Sequence, residues 1–166
     1  GMAWLAHQRL GYNYRLTEIA SAIGVVQCER LDDILAQRRR VANLYMERLM
    51  TSRYVTLPTL GEDDNVSWFV FVVRLNELFE PGDRDEVIKH LRLAGIGTTN
   101  YFPPIHLQPY MRERFGHKPG DFPVCEYVAD RTLALPFFNT LTPQQCDHVC
   151  TTLEEACDKV LTKRKR

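Results

Sequence analysis

Two short stretches of this 166-residue chain gather the side chains best suited to chemistry. The first is Gly11-Tyr12-Asn13-Tyr14-Arg15, just ahead of a helical pattern. An amide donor and a planar guanidinium fork are what an anion such as a phosphate needs, and a helix N-terminus adds favourable polarity. The structural alternative is that the tyrosines cover a core edge while Arg15 pairs with a surface acid. The second stretch runs from Asn100 to Tyr110. Its prolines fix the backbone while Tyr101, His106, Gln108 and Tyr110 offer hydroxyl, imidazole and amide groups. Such a loop suits a ligand-facing wall, or it is a proline-rich loop packed onto a sheet. Residue types alone leave both pairs of alternatives open.

Other groupings point to packing. Cys146, Cys150 and Cys157, with His148 between them, suggest a metal site at first sight. Yet Cys146, Val149, Cys150, Leu153, Cys157 and Val160 share one helical face, from which His148 is turned away, and cysteine is among the most buried residue types. No metal site and no catalytic residue is assigned. Ser21, Ser52 and Ser67 lie in no GxSxG turn, and no cysteine has a histidine partner motif. Gly95-Ile96-Gly97 leads into a strand and lacks a third glycine, so it is no phosphate loop. The acidic pairs Asp32-Asp33, Asp63-Asp64 and Glu154-Glu155 read as solvated surface.

These residues are positioned by an arm, residues 1–16, and then by a helix predicted over 17–50 with Thr17 as its N-cap. No proline interrupts that pattern, and Arg38-Arg39-Arg40 stays in phase. About 30 residues exceeds what a small domain usually needs, so this helix is expected to bridge bodies or lie along a partner. Residues 51–162 are predicted to form an α+β small domain, an antiparallel or mixed sheet with helices on one face. Strands are expected at Val55–Leu57, Ser67–Leu75, Ile96–Tyr101 and Thr132–Leu135. Asp83 with Glu86 reads as a capping box for a helix to Leu93, stopped by Gly95. Residues 102–122 read as a loop, and Pro123 as the first position of a helix to about Thr132. Thr142 with Gln145 is a second capping box, with Leu141 and Cys146 as its hydrophobic staple, opening a helix to about Leu161.

Composition narrows the classes further. Twenty-one basic and 21 acidic residues give zero net charge, so no electrostatic footprint for nucleic acid exists. The tail Lys163–Arg166 reads as a solvated end. No run approaches the ~18 apolar residues of a membrane span, and no charged start followed by an apolar run marks a secretory leader. Five cysteines without a CxxC pair suit free thiols in a reducing cytoplasm. Gly1 before Met2 reads as the residue left by a cleaved tag. Ile19, Ile23 and Val26 are expected to be exposed apolar residues that find a partner, giving a homo-oligomer with helix 17–50 in its interface.

The segment GYNYRLTEIASAIGVVQCERLDDILAQRR resembles the start of the small domain in DegT/StrS-type sugar-nucleotide aminotransferases. The likeness continues through SWFVFVVRL, the helix-to-strand segment ending at Gly95-Ile96, YFPPIHLQPYMRERFG and GDFPVCEYVADRTLALPFFNTLTPQQ. It covers about residues 11–153, in order, and the YFPPIHLQPY version is most similar to the perosamine-synthase-like branch. The resemblance implies the C-terminal small domain of the aspartate-aminotransferase fold. It further implies pyridoxal phosphate (PLP) as cofactor and amino transfer to a nucleotide-linked keto sugar at a dimer interface. Asn13 matches the asparagine that reaches the PLP phosphate of the other subunit, and Arg15 falls in the same cofactor-binding motif. Tyr101 and His106 match the loop lining the substrate-binding, sugar-nucleotide side. The family's Schiff-base lysine lies upstream of GYNYR, and Lys89, Lys118, Lys159, Lys163 and Lys165 match no such position. The expectation is a chain that does not bind PLP or transaminate alone, with a possible separate large-domain chain. The other reading is a non-enzymatic interaction or oligomerisation module.

Overall fold

The computed structural model describes residues 9–164. They fall into two compact units, divided between Asp33 and Ile34. Gly1, Met2 and the last two residues of the basic tail, Lys165 and Arg166, lie outside the described residues.

In the first unit, residues 9–16 carry no regular structure and lead into α1 (Glu18–Glu29). Thr17 caps it as the sequence indicates: extended backbone, with its hydroxyl oxygen accepting the Ala20 N–H at 3.3 Å. Helix α1 buries none of its residues. It also ends early. Where one helix over 17–50 is expected, Arg30 turns, its N–H bonding Gln27 O and Cys28 O, and α2 (Leu31–Leu49) follows. The apolar periodicity stays in phase across Arg30, and no proline or glycine marks the break.

The second unit starts at Ile34, within α2, and continues through β1 (Val55–Thr56), β2 (Phe71–Leu75), α3 (Asp83–Leu93) and β3 (Thr99–Asn100). A 3-10 turn at Ile105–Leu107, α4 (Pro109–Phe115), α5 (Pro123–Ala129), β4 (Thr132–Leu135) and α6 (Pro143–Arg164) complete it. The class is α+β, with one wholly antiparallel sheet in the order β1-β2-β4-β3.

Strand β2 is central, paired on both sides, as its apolar run suggests. It starts at Phe71 rather than at Ser67. Phe71 pairs with Leu135, the last residue of β4. Pro136 comes next and has no N–H with which to extend the ladder, so residues 67–70 find no partner there. On β2, Phe71, Val73 and Leu75 are buried in one core with Val41, Tyr45 and Leu49 of α2, Val87 and Leu91 of α3, and the inner face of α6. Tyr45 stacks on Phe71 with ring centroids 4.9 Å apart, and its hydroxyl donates to Pro136 O at 2.7 Å. Burial pushes that phenol far above its ordinary range, so it stays a donor.

Helix ends show which local signals operate. At α3 the Asp83/Glu86 capping box does not form. Gly82, in the left-handed region at φ 94°, occupies the cap position without a side-chain bond. Asp83 is already helical, and its carboxylate instead accepts the Glu80 N–H at 2.8 Å and meets Arg164 at 3.3 Å. The other end closes as a Schellman motif: Ile96 N–H bonds Leu91 O at 2.9 Å, Gly95 N–H bonds Arg92 O at 3.0 Å, and Gly95 has φ 80°. At α6 the capping box is complete, Gln145 N–H to Thr142 Oγ1 at 3.2 Å and Thr142 N–H to Gln145 Oε1 at 2.9 Å. Leu141 and Cys146 are both buried beneath it, as are Cys150 and Cys157. These thiols are core groups, and burial pushes Cys157 up to about 12. The helix continues three residues past the expected end at Leu161.

Removal of the cap by Thr142→Ala should cost about 1 kcal/mol, and Leu153→Ala, at a fully buried α6 position, about 2–5 kcal/mol. Urea denaturation with an unchanged slope is the check.

Candidate functional site

The two stretches singled out from the sequence lie in different units and are described separately. In the first, Gly11 to Arg15 are all exposed. Tyr12 and Tyr14 stack on each other with centroids 5.5 Å apart, and Arg15 N–H bonds Asn13 O at 3.0 Å. Among the described residues the Asn13 amide and the Arg15 guanidinium have no partner. Among these residues the tyrosines therefore cover no core, and Arg15 pairs with no acid. What remains is a compact turn displaying an amide, a guanidinium and two rings.

The second stretch begins at the end of β3, where β4 holds it. Thr132 Oγ1 donates to Tyr101 O at 2.7 Å, and Thr98 Oγ1 donates to Ala134 O at 2.6 Å. Arg92 of α3 adds two bonds to Thr98 O, at 3.1 and 2.9 Å. Tyr101 is thereby delivered half-buried, its ring stacked on exposed Phe102 with centroids 4.2 Å apart. The residues after it are not the plain loop expected over 102–122. They contain the 3-10 turn and α4, with Pro109 at the first helical position and Gly116, φ 73°, in the left-handed position after the last.

His106 sits in that 3-10 turn and is 93 % buried, with 7 % of its surface exposed. Its Nε2 lies 2.9 Å from Glu126 Oε1. Phe122 and His117 pack on the imidazole, with centroids 4.7 and 6.1 Å away. Glu126 also accepts the Gly120 N–H at 2.9 Å and the Phe122 N–H at 3.3 Å. Asp121 does the same on a smaller scale, accepting the Lys118 N–H at 3.1 Å beside His117 Nδ1 at 3.3 Å. The Gly120 amide, then His106, hold the Glu126 carboxyl below its usual range, and the Lys118 amide does so for Asp121. Glu126 escaped the sequence reading. A glutamate in the first turn after Pro123 was the available signal, but its partner lies 20 residues upstream.

Elsewhere, a cleft of about 490 Å3 is lined by Arg84, Ile88, Lys89, Arg92 and Asn100 among others. Its arginines are engaged: Arg84 donates to Ala129 O and Asp85, Arg92 to Thr98 O. A second cleft, of about 410 Å3, is lined by Ile96, Pro136, Phe138 and His148. His148 thus faces away from the buried cysteines. Among the described residues no group of three or more His, Cys, Asp or Glu is placed to hold a metal, and no helix is long and apolar enough to cross a membrane.

The family model for DegT/DnrJ/EryC1/StrS aminotransferases matches residues 2–154. The chain belongs to that family. EryC1 of Saccharopolyspora erythraea, an erythromycin biosynthesis sensory transduction protein, is 35% identical over 149 residues, 89% of this chain and 39% of that protein. SpsC of Bacillus subtilis, a spore coat polysaccharide biosynthesis protein, is 30% identical over 140 residues, 84% of this chain and 36% of its own length. In structure, the chain superposes on Spr1654 of Streptococcus pneumoniae, described as a sugar aminotransferase, with a TM-score of 0.84 at 23% identity. The match covers 92% of this chain and 38% of that one, and at this identity it shows the fold. The chain spans little more than a third of the relatives it matches.

PLP is the cofactor this family implies, and the residues present fit it only in part. The Asn13 amide and Arg15 guanidinium suit a phosphate. A Schiff-base lysine, by contrast, is normally activated by desolvation or a neighbouring cation. Lys89, Lys118, Lys159 and Lys163 are all exposed, with Lys89 lying 3.5 Å from Glu86. None of them fits, and no step through the cofactor is derived from this chain.

Because both carboxylates are held low in the fold, their contribution to stability is present above the ordinary carboxylate range of about pH 4 and lost as pH falls through the lowered values. Amides Lys118, Gly120 and Phe122 should therefore lose exchange protection in acid while those of β2 and β4 keep theirs. Glu126→Gln should flatten that dependence at Gly120 and Phe122.

Proposed function

We propose that the chain is the small-domain part of a PLP-dependent aminotransferase acting on a nucleotide-linked keto sugar, in cytoplasmic biosynthesis of polysaccharide or cell-surface sugars. Family membership and the roles of the relatives support this reading: SpsC is a spore coat polysaccharide biosynthesis protein, and Spr1654, described as a sugar aminotransferase, occurs in PMP and PLP forms. In the complete enzyme PLP supplies the carbonyl and electron sink for amino transfer. This chain contributes polar contacts. Asn13 and Arg15 donate to the cofactor phosphate at the dimer interface, while Tyr101 and His106 line the sugar-nucleotide side.

Alone, the chain is not competent. The observation that carries this is the exposure of every described lysine, none of which is desolvated. The lysine comes from a large domain, on a separate chain or the remainder of a longer one. A second reading, an interaction or oligomerisation module, is favoured by α1, where Ile19, Ile23 and Val26 are 78%, 61% and 51% exposed. Faces of this kind bind protein, and in either reading the chain is expected to associate with a second copy of itself.

Titration with PLP, followed by absorbance, borohydride reduction and peptide mapping, tests competence. No stoichiometric adduct is expected, and glutamate added with PLP should yield no 2-oxoglutarate. One stable adduct on a single lysine would overturn the reading.

A further inference from the structure

The carboxylate of Glu126 sits where three donors converge. Gly120 N–H points at both of its oxygens, at 2.9 Å each, Phe122 N–H approaches Oε1 at 3.3 Å, and His106 Nε2 approaches the same oxygen at 2.9 Å. Two backbone amides that can only donate favour the ionised carboxylate. An ionised carboxylate is acceptor-only. The hydrogen between Nε2 and Oε1 must then be carried by the imidazole.

In a neutral imidazole one ring nitrogen carries the proton and the other an open lone pair, and the hydrogen bond at the first decides which is which. With the hydrogen at Nε2, the lone pair is on Nδ1. Nδ1 has no hydrogen-bond partner among the described residues. Nor is it sealed in, since the one buried, unpartnered side-chain polar atom among them is Arg131 Nε. Nδ1 therefore keeps some exposure although the ring is buried. Phe122, tilted 59° to the imidazole, and His117, nearly perpendicular at 86°, wall the ring and oppose its turning over. His117 is itself held by Asp121.

We propose that Glu126 is the positioning residue of His106, locking the imidazole as its Nε2–H tautomer and presenting Nδ1 outward as a fixed hydrogen-bond acceptor. A fixed acceptor selects ligand groups that bring a hydrogen. A sugar hydroxyl qualifies, whereas a keto oxygen or a fully ionised phosphate oxygen meets lone pair with lone pair. The choice of a sugar hydroxyl rests on the function proposed above, but the tautomer does not.

Long-range 1H–15N correlation spectra of the uniformly 15N-labelled 166-residue chain, at pH 8 without ligand, read the tautomer directly. A single species with Nε2 protonated and Nδ1 bare is expected for His106. In Glu126→Ala the two tautomers should become mixed, with faster exchange of the Gly120 and Phe122 amides. Glu126→Gln, whose amide oxygen still accepts from Nε2–H, should restore the single tautomer. An Nδ1–H tautomer or a doubly protonated ring in the unmodified chain would overturn the proposal, as would a folded Glu126→Ala with an unchanged tautomer. Should Glu126→Ala fail to fold, the spectrum of the unmodified chain still decides. Since no ligand is present, failure here leaves the sugar-nucleotide reading standing, and failure of that reading leaves the tautomer standing.

Discussion

The pairing of β2 with β4 is the constraint on which the second unit depends. Phe71 to Arg74 lie against Leu135 to Thr132 in antiparallel register, closing a loop of more than 50 residues, at an entropic cost that only a large buried surface repays. The repayment comes from one core. The alternate side chains Phe71, Val73 and Leu75 enter it from β2, Tyr45 stacks on Phe71, and α6 lays its buried face alongside. Once β4 is fixed, the two residues of β3 have an edge to join, and Thr132 has a position from which to hold Tyr101 O. The polar stretch from Asn100 onward is thus placed by the sheet, not by its own sequence.

Beyond that anchor the chain relies on a carboxylate. Residues 102–122 bury few apolar side chains; Phe102, Ile105, Tyr110 and Phe115 are all exposed. Glu126, fixed in α5, gathers His106, Gly120 and Phe122 from two points along the excursion. A charged hub does what a core does elsewhere, and it does so while leaving aromatic groups at the surface. Such an arrangement suits a wall that meets a ligand.

Signals confined to neighbouring residues were legible in the sequence. Thr17, the Thr142/Gln145 box, Gly95 after α3 and Pro123 at the first position of α5 all act within one helical turn, and all take the roles their chemistry indicates. The buried cysteine face of α6 followed from periodicity. Asp83 was misplaced because a carboxylate at a helix start serves equally as cap or first residue, and Gly82 took the cap. The break at Arg30 preserves the apolar phase, so no pattern reveals it. Helix α4 has proline at its first position and glycine after it, but it is seven residues long in a segment dense in both. The His106–Glu126 pair is non-local, and only the fold brings it together. The family, carried by several motifs in order, was legible throughout.

The two units differ in what they have to bury. The second holds a full core, whereas α1 contributes no buried residue and displays Ile19, Ile23, Val25 and Val26. A 12-residue helix without tertiary packing is marginal in water, so α1 is a surface made to be covered. For the chain on its own, a second copy is the cover we propose. Sedimentation velocity at tens of micromolar, with Ile23→Asp run beside the unmodified chain, tests this most directly. The unmodified chain should sediment as a dimer or larger and Ile23→Asp as a monomer; an unmodified chain that stays monomeric throughout that range would contradict it.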